Sequence, residues 1–553
     1  MLALLTLLLS AQTQANTTPQ VPAIGPPPPM MLERLGAHRR PIATDSEEAQ
    51  AWFDQGLALM HGFNFDGAIA SFRQATVYDP QCAMAWWGIA YSSGPNQNNP
   101  AIQAPKDEWT FAAAERANEL KEHESDVNRA LIEAIAHRYQ YPMPEDLSEL
   151  NEAYLDAMVE VHEQFPLDPD VAVWTAEAMM VTQPWEYWSL EGEPLNRTPE
   201  FRAILERVMQ LHPDHPAANH LYIHVMESSP YPEVAEPAAD RLIDLIPAAG
   251  HLVHMPSHIW MQTGRYDDSA DCNRRAAALD DAWFEADPNA QEYRFYMAHN
   301  RHFLAFAATM QGRRREAVSA ARAITEEVPP ELMEAMGCFS DGVAACKWHV
   351  LTRFGMWDEI LTEPTPPEWA AIGRSLRHYA RGIAYANTGR IAEAREELAA
   401  YDEAIKTIPE AWTMGNQPAN EIMPLGRLVL EGEIEFKAGN RTRGLELLGQ
   451  AVEMEERLKY AEPVPWMMPA RHAYGALLIV DGQYKAAESV YLQDLEVFPA
   501  NGWALLGLRD SLRGQKRMAE ADRIDEAFRK AWASADVMPP ASCYCGTAVA
   551  GTD

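Results

Sequence analysis

The chain has 553 residues, of which 47% are apolar, so it can bury a large core and is not an intrinsically disordered sequence. Its formal net charge is −35, and an acidic surface of this kind repels nucleic acid and anionic membranes while it favours solubility. We therefore expect no nucleic-acid partner.

Residues 1–15 have the composition of a signal peptide. Residues 2–9, LALLTLLL, are too short to span a membrane but suit the hydrophobic region of a secretory signal. The basic residues that usually precede such a run are missing, while small residues follow it, so cleavage is expected after Ala11 or Ala15. No other apolar run reaches the length of a membrane helix. We expect a periplasmic or secreted protein without membrane insertion.

Six cysteines fit an oxidising compartment without requiring one. Cys338 and Cys346 are close enough in sequence to pair, whereas Cys543 and Cys545 are separated by a single residue, which strains an ordinary disulfide. The latter pair could bind a soft metal, but an exposed tail with incidental thiols is the simpler interpretation.

Residues 16–45 form a proline-rich linker and N-terminal arm, and helical periodicity begins near Ser46. In residues 46–200, small residues and aromatics recur at the spacing of a two-helix repeat, where the small residues let helices approach and the aromatics fill the gap. These positions are Trp52, Gly56, Phe65, Ala68, Phe72, Ala75 and Pro80, and Trp86 follows Trp52 by 34 residues.

Two stretches interrupt this pattern and are interpreted as insertions, of which the first is a loop. The first is residues 184–198, in which Trp185, Tyr187 and Trp188 could cover a site or only pack on the repeats. The second is residues 281–292.

Residues 201–312 contain paired histidines in phase with the repeat. His220 and His224 are four residues apart, as are His254 and His258, and the second pair follows the first by 34 residues. This offset is the length of one tetratricopeptide repeat. A further pair, His299 and His302, lies on the next predicted helix.

Residues 313–535 give further repeats without the paired histidines, marked by glycine and alanine at the helix turns, and residues 536–553 are expected to form a loose tail. Strand signals are nearly absent. The predicted fold class is all-α.

The chain resembles tetratricopeptide repeat proteins over most of residues 46–533. It is also similar to exported bacterial members of that class with a histidine-rich central segment, through the strings FDQGLALMHGFN, DPQCAMAWWGIA, NHLYIHVMESS, AGHLVHMPSHIWMQTGRY and HNRHFLAFAATMQG. The resemblance implies an α-solenoid, a superhelix of antiparallel helix pairs in which the first helix of each repeat lines a concave groove. In that geometry eight side chains face the groove: His220, His224, Glu227, His251, His254, His258, His299 and His302.

These eight side chains are candidate metal ligands. Residues four apart share one face of a helix, and neighbouring helices lie about 8–10 Å apart, so imidazoles from successive repeats can meet at one ion. Imidazole and carboxylate donors suit a divalent transition metal such as Zn, Fe or Cu, and Mn is also compatible. Asn219 and Asn300 could orient the histidines without binding the metal themselves.

Two functions from different classes follow. The first is an exported solenoid with a His/Glu transition-metal site in its groove, which could be a metalloenzyme acting on a small molecule with Glu227 or a metal-bound water as base. The second is a scaffold whose groove binds a peptide, a protein partner or an anion without catalysis. A single histidine on an apolar face is usually a core residue, and it is the shared phase of several that favours the metal.

Overall fold

The computed structural model of the protein describes residues 31–99, 106–286 and 293–546. The predicted signal peptide and residues 16–30 of the linker lie outside the described residues. Within them, helices follow one another in pairs, and the strands are β1 (Thr413–Met414) and β2 (Gln417–Pro418), a single antiparallel hairpin. The protein is an all-α, tetratricopeptide-type solenoid, and that prediction is confirmed.

The chain divides into two compact units. The first contains residues 39–60 and 67–185, and the second contains residues 32–38, residues 61–66 and the chain from Glu186 onwards. Apart from the 61–66 turn, the helices of the first unit are α1 (Glu47–His61), α2 (Phe65–Tyr78), α3 (Ala83–Ser93), α4 (Lys106–Leu120), α5 (Asp126–Ile135), α6 (Ser148–Gln164) and α7 (Pro169–Val181).

The second unit holds the remaining repeats. Its helices are α8 (Thr198–Leu211), α9 (Pro216–Met226), α10 (Glu236–Leu245), α11 (Gly250–His254), α12 (Pro256–Gln262), α13 (Tyr266–Ala286), α14 (Arg294–Met310), α15 (Arg314–Glu327), α16 (Pro330–Ala335), α17 (Gly337–Ala344), α18 (Cys346–Arg353), α19 (Trp357–Thr362), α20 (Ala371–Asn387), α21 (Ile391–Ala404), α22 (Ala419–Lys437), α23 (Arg441–Glu455), α24 (Ala470–Val480), α25 (Tyr484–Val497), α26 (Gly502–Gly514) and α27 (Met518–Ala531).

Helix pairs pack as the small and aromatic positions predict. In the first unit, the Phe72 ring lies so close to Gly56 and Gly88 that a Cβ on either glycine would come within 2.6 or 2.8 Å of it. In the second unit, the Tyr491 ring lies between Gly475 and Gly507, where an added Cβ would lie 2.5 or 2.1 Å from the ring. Glycine at these positions therefore sets the distance between helices.

The predicted insertions have structural roles where they are described. Tyr187 is fully buried with its ring on Phe201, and the Trp188 indole donates to the Val225 carbonyl at 2.7 Å, so both side chains pack on the repeats. In the second predicted insertion, residues 281–286 continue α13. Their apolar side chains, Trp283 and Phe284, are buried and extend the helix's packed face. Residues 287–292 lie outside the described residues.

The expectation of a loose tail with incidental thiols is wrong for residues 536–546. The Asp536 carboxylate accepts hydrogen bonds from the backbone N–H groups of Arg314 and Arg315, at 2.8 and 3.0 Å. Cys545 is buried and forms a disulfide with Cys543. Cys338 and Cys346 do not pair with each other and are free thiols.

Over the three described ranges, we find no helix that combines the length and the apolar character needed to cross a membrane.

Replacing glycine by alanine is predicted to have opposite effects on stability at two positions, one against the Tyr491 ring and one without a close neighbour. Gly507→Ala should lower the free energy of unfolding by about 1–3 kcal/mol, because the new methyl group collides with the Tyr491 ring. The matched control is Gly449→Ala in α23, where the nearest atom is 3.7 Å away and alanine should raise stability by roughly 0.5–1 kcal/mol through helix propensity. Urea unfolding followed by circular dichroism measures both. Equal effects at the two sites would contradict this packing.

Candidate metal centre

Helix α9 carries the first histidine pair. Pro216 stands at the start of the helix, where its missing N–H costs nothing, and the His215 ring caps the helix by accepting from the Ala218 N–H at 3.2 Å. The next turns place His220 and His224 one above the other. Glu227 follows at the end of the helix and is fully buried.

Helices α11 and α12 carry the second pair across a break at Pro256. Proline removes one helical N–H donor, so the hydrogen-bond ladder is interrupted there. Met255 nevertheless keeps helical dihedrals, its N–H donates to the His251 carbonyl at 2.9 Å, and the His258 N–H donates to the Met255 carbonyl at 3.1 Å. His254 and His258 therefore remain on one face, and their side-chain nitrogens meet.

Six of the histidines come together in two groups. The first histidine triad is His220, His224 and His251, and the second is His254, His258 and His299. In each triad, one nitrogen from every ring lies within 4.8 Å of the others. The first triad is fully buried, and His299 in the second is half-buried. The expectation that ring nitrogens converge is met at two points.

In the first triad, hydrogen bonds on one side of each ring fix where the lone pairs point. His220 Nδ1 donates to the His61 carbonyl at 2.8 Å, and His224 Nδ1 donates to Glu227 Oε1 at 2.9 Å. A carbonyl or an ionised carboxylate only accepts, so both Nδ1 atoms carry the hydrogen and both Nε2 atoms carry a lone pair. The two Nε2 atoms lie 3.1 Å apart. Two facing lone pairs repel, and a cation between them would remove that repulsion.

A proton is a poor candidate for that cation in the first triad. Burial lowers the pKa of His220 well below its usual range, and the neighbouring His224 lowers it further. Burial also lowers the pKa of His224, although the Glu227 carboxylate opposes the change. Both rings are therefore neutral near pH 7, and their lone pairs are available to a metal ion.

His251 completes the first triad and has unmet hydrogen-bonding capacity. Neither of its ring nitrogens has a hydrogen-bond partner among the residues that the structure describes, although the residue is only 2% exposed. Its ring packs against His220 with centroids 5.0 Å apart and against Tyr296 at 4.8 Å. A buried polar group without a partner costs roughly 1–3 kcal/mol. A ligand shared with His220 and His224 would remove this cost.

The second triad repeats the arrangement around His254. Its Nδ1 donates to Asn273 Oδ1 at 2.7 Å, and the Asn273 amide nitrogen is held by the Ser269 carbonyl at 2.8 Å, which fixes the amide's orientation. His254 Nε2 therefore carries a lone pair and lies 2.9 Å from His258 Nε2.

Carboxylates lie on the other side of the His258 ring. His258 Nδ1 lies 2.5 Å from Glu227 Oε2 and 2.8 Å from Glu462 Oε2. Burial lowers the pKa of His258, but the Glu227 and Glu462 carboxyl groups outweigh it and raise the pKa to about 10. In the metal-free protein His258 is therefore a cation, and its Nε2–H donates to His254. A metal ion in the second triad would take the place of that proton.

The two glutamates differ in protonation. Burial raises the pKa of Glu227, but His258 and His224 outweigh it and lower the value to about 2. Burial raises the pKa of Glu462 to about 7, although its contact with His258 opposes the change. Glu227 therefore stays negatively charged. Its Oε1 contacts Nδ1 of His224, and its Oε2 contacts Nδ1 of His258.

His302 and two asparagines lie apart from the triads. His302 Nε2 lies 3.2 Å from the Met467 sulfur, and burial lowers the pKa of His302 to about 4. The suggestion that Asn219 and Asn300 orient the histidines is wrong: Asn219 donates to the Pro213 and His215 carbonyls, and Asn300 donates to Asp280. Asn273 takes that role instead.

The segment between α23 and α24, residues 456–469, reaches the centre from far along the chain. Besides Glu462 on His258 and Met467 on His302, its Tyr460 hydroxyl lies 3.4 Å from the Gln262 amide nitrogen. The chain itself therefore covers the predicted groove at His258 and His302, and His224 and His258 are only 2% and 4% exposed. Neither Glu462 nor the His61 carbonyl carries a sequence signal, because only the folded chain brings them near the histidines.

No protein-family model matches the chain, and no curated protein matches its sequence. Among solved structures, the human IFIT1 dimer with m7Gppp-AAAA is 12% identical over 85% of this chain and 94% of that chain, with a TM-score of 0.34. The APC/C hetero-tetramer Cut9–Hcn1 is 11% identical over 87% of this chain and 76% of that chain, with a TM-score of 0.30. Likenesses of this size carry no information on ligand or partner.

The buried histidines predict a pH-dependent stability of the metal-free protein. The pKa of His251 is well below its usual range because of burial, His220 and His254. Below about pH 6.5 the unfolded chain binds a proton there that the folded chain does not, so the parent loses stability as the pH falls. His251→Phe removes this loss. Between pH 7 and 5 its unfolding free energy should gain roughly 1–2 kcal/mol relative to the parent.

Chemical unfolding at both pH values, in the presence of a chelator, measures this difference. The control is Tyr296→Phe, which changes the ring that packs on His251 but changes no imidazole. It should therefore shift stability by the same amount at pH 5 and at pH 7. A His251→Phe effect that is the same at pH 5 and pH 7 would show that this imidazole is not held neutral by the fold.

Proposed function

We propose that the protein is an exported tetratricopeptide-type solenoid whose central repeats bind a first-row transition metal through buried histidines. Zn, Fe and Cu are the candidates, since neutral imidazoles suit these ions better than they suit Mg or Ca. The observation that carries the proposal is the approach of the Nε2 atoms, at 3.1 Å for His220 and His224 and 2.9 Å for His254 and His258.

These separations fit ligands of one ion. Two nitrogens that each lie about 2.0–2.1 Å from a metal, at an angle of roughly 90–110°, are about 2.8–3.4 Å apart. The opposite ring nitrogens meet a carbonyl, an amide oxygen and carboxylates, which are the partners that orient metal-binding histidines in other proteins. The spacing of the Nε2 atoms and the hydrogen bonds on the opposite ring nitrogens therefore both fit a set of metal ligands.

Glu227 is better suited to a positioning role than to that of a general base. Its Oε1 accepts from His224 and its Oε2 lies on His258, so neither oxygen is left to take a proton from a substrate. It would instead hold both imidazoles in the tautomer that presents Nε2 to the metal. When bound, the metal would supply Lewis-acid chemistry, and three histidine ligands would leave a coordination position open.

The alternative of a peptide-binding groove has less support at this position. A peptide here would compete with the chain's own segment 456–469, which already contacts His258 and His302. Export is supported by the apolar run at residues 2–9, and the disulfide between Cys543 and Cys545 suits an oxidising compartment.

Metal analysis and calorimetry test the proposal. We expect the purified protein to contain a first-row metal, and the chelated protein to bind Zn²⁺ with an affinity that falls as the pH drops, because imidazole must be neutral to coordinate and the metal must displace the proton of His258, whose pKa is raised to about 10. His224→Gln combined with His258→Gln should weaken binding at least about 100-fold, since it removes one Nε2 from each close pair.

The matched control is His123→Gln with His212→Gln, which removes two exposed histidines and should leave affinity unchanged. Helix content by circular dichroism establishes that both doubles are folded. A parent that neither contains nor binds metal, or a site variant that binds as the control does, would contradict the proposal.

A further inference from the structure

The two histidine triads are built in the same way, one repeat apart. In each, two histidines four residues apart share a helical face, and the third comes from a following helix. The rings of His220 and His224 have centroids 4.8 Å apart, and so do those of His254 and His258. The third ring lies 5.0 Å from the first member of each pair, His251 from His220 and His299 from His254.

We propose that each triad holds its own metal ion, so that the solenoid contains a pair of adjacent first-row transition metals. This inference rests on the proposed metal-binding function and adds its stoichiometry and arrangement. The repeat that produces one site produces the second, because successive repeats place equivalent side chains at equivalent positions.

The triads are distinct but adjacent. Between them, the closest rings are those of His251 and His254, with centroids 5.8 Å apart, and those of His224 and His258, at 6.0 Å. Within the triads, His224 and His251 are 6.3 Å apart and His258 and His299 are 5.7 Å apart, so ring spacing alone does not separate the two groups. The two short Nε2 contacts, 3.1 Å for His220 and His224 and 2.9 Å for His254 and His258, mark two separate positions for an ion.

Glu227 joins the two sites. Its Oε1 lies 2.9 Å from Nδ1 of His224 in the first triad, and its Oε2 lies 2.5 Å from Nδ1 of His258 in the second. One carboxylate thus orients a ligand of each ion. Together with Glu462, at 2.8 Å from His258, it also supplies up to two negative charges, which would partly balance two buried divalent ions.

His251 and His299 separate the two sites experimentally, because each belongs to one triad only. The chelated protein is reloaded with Zn²⁺ or Cu²⁺, and the bound metal is counted by elemental mass spectrometry after gel filtration. We expect two ions per parent chain. His251→Gln and His299→Gln should each retain one, and the exposed control His212→Gln should retain two.

Adjacency is read from the Cu²⁺-loaded parent by electron paramagnetic resonance, which needs no variant to fold. Two Cu²⁺ ions in neighbouring triads should give a spin-coupled or broadened spectrum, and each single variant should give the spectrum of an isolated ion. Glu227→Gln should weaken both sites, by about 10–100-fold each, because it disturbs one ligand of each ion.

The outcomes distinguish the two proposals. One ion per parent chain, or two ions with isolated spectra, would overturn the pair and leave the metal-binding function standing. No bound ion in the parent would overturn both. If Glu227→Gln weakened one site only, the shared carboxylate would be refuted.

Discussion

The close approach of imidazole nitrogens inside the protein is the constraint on which the proposed metal site depends. His220 and His224 bring their Nε2 atoms to 3.1 Å, and each ring is fixed by a hydrogen bond on its other nitrogen. Facing lone pairs repel, and a cation between them would remove the repulsion. Burial lowers the pKa of both rings, which disfavours a proton there and leaves a metal ion as the better cation.

In the second pair, His254 and His258, a proton takes the place of the metal ion between the two Nε2 atoms. His258 carries a proton because Glu227 and Glu462 lie on its Nδ1, and that proton satisfies His254. Metal and proton would compete for the same position. The repeat explains why the same arrangement arises twice, since each repeat returns the chain to an equivalent position. The segment 456–469 of the same unit then covers His258 and His302.

Much of this arrangement follows from local sequence. Glycine, alanine and aromatic spacing predicted the helix pairs, as the Tyr491 ring between Gly475 and Gly507 illustrates, and the repeat length predicted that histidines of successive repeats meet. The remainder depends on long-range contacts. Asn273 and Glu462 have no distinguishing pattern, and the assignment of Asn219 failed because its amide binds nearby carbonyls. The contacts that segment 456–469 makes with His258 and His302 likewise have no signal in the local sequence.

X-ray absorption spectroscopy of the zinc-loaded protein tests the central claim most directly, because it reports the atoms bound to the metal. Ligation by a histidine triad predicts nitrogen neighbours at about 2.0–2.1 Å with the multiple-scattering pattern of roughly three imidazoles per ion. Glu227 should be absent from the first shell, since its oxygens lie on the outer nitrogens of His224 and His258. A shell of oxygen ligands without imidazole scattering would contradict the account.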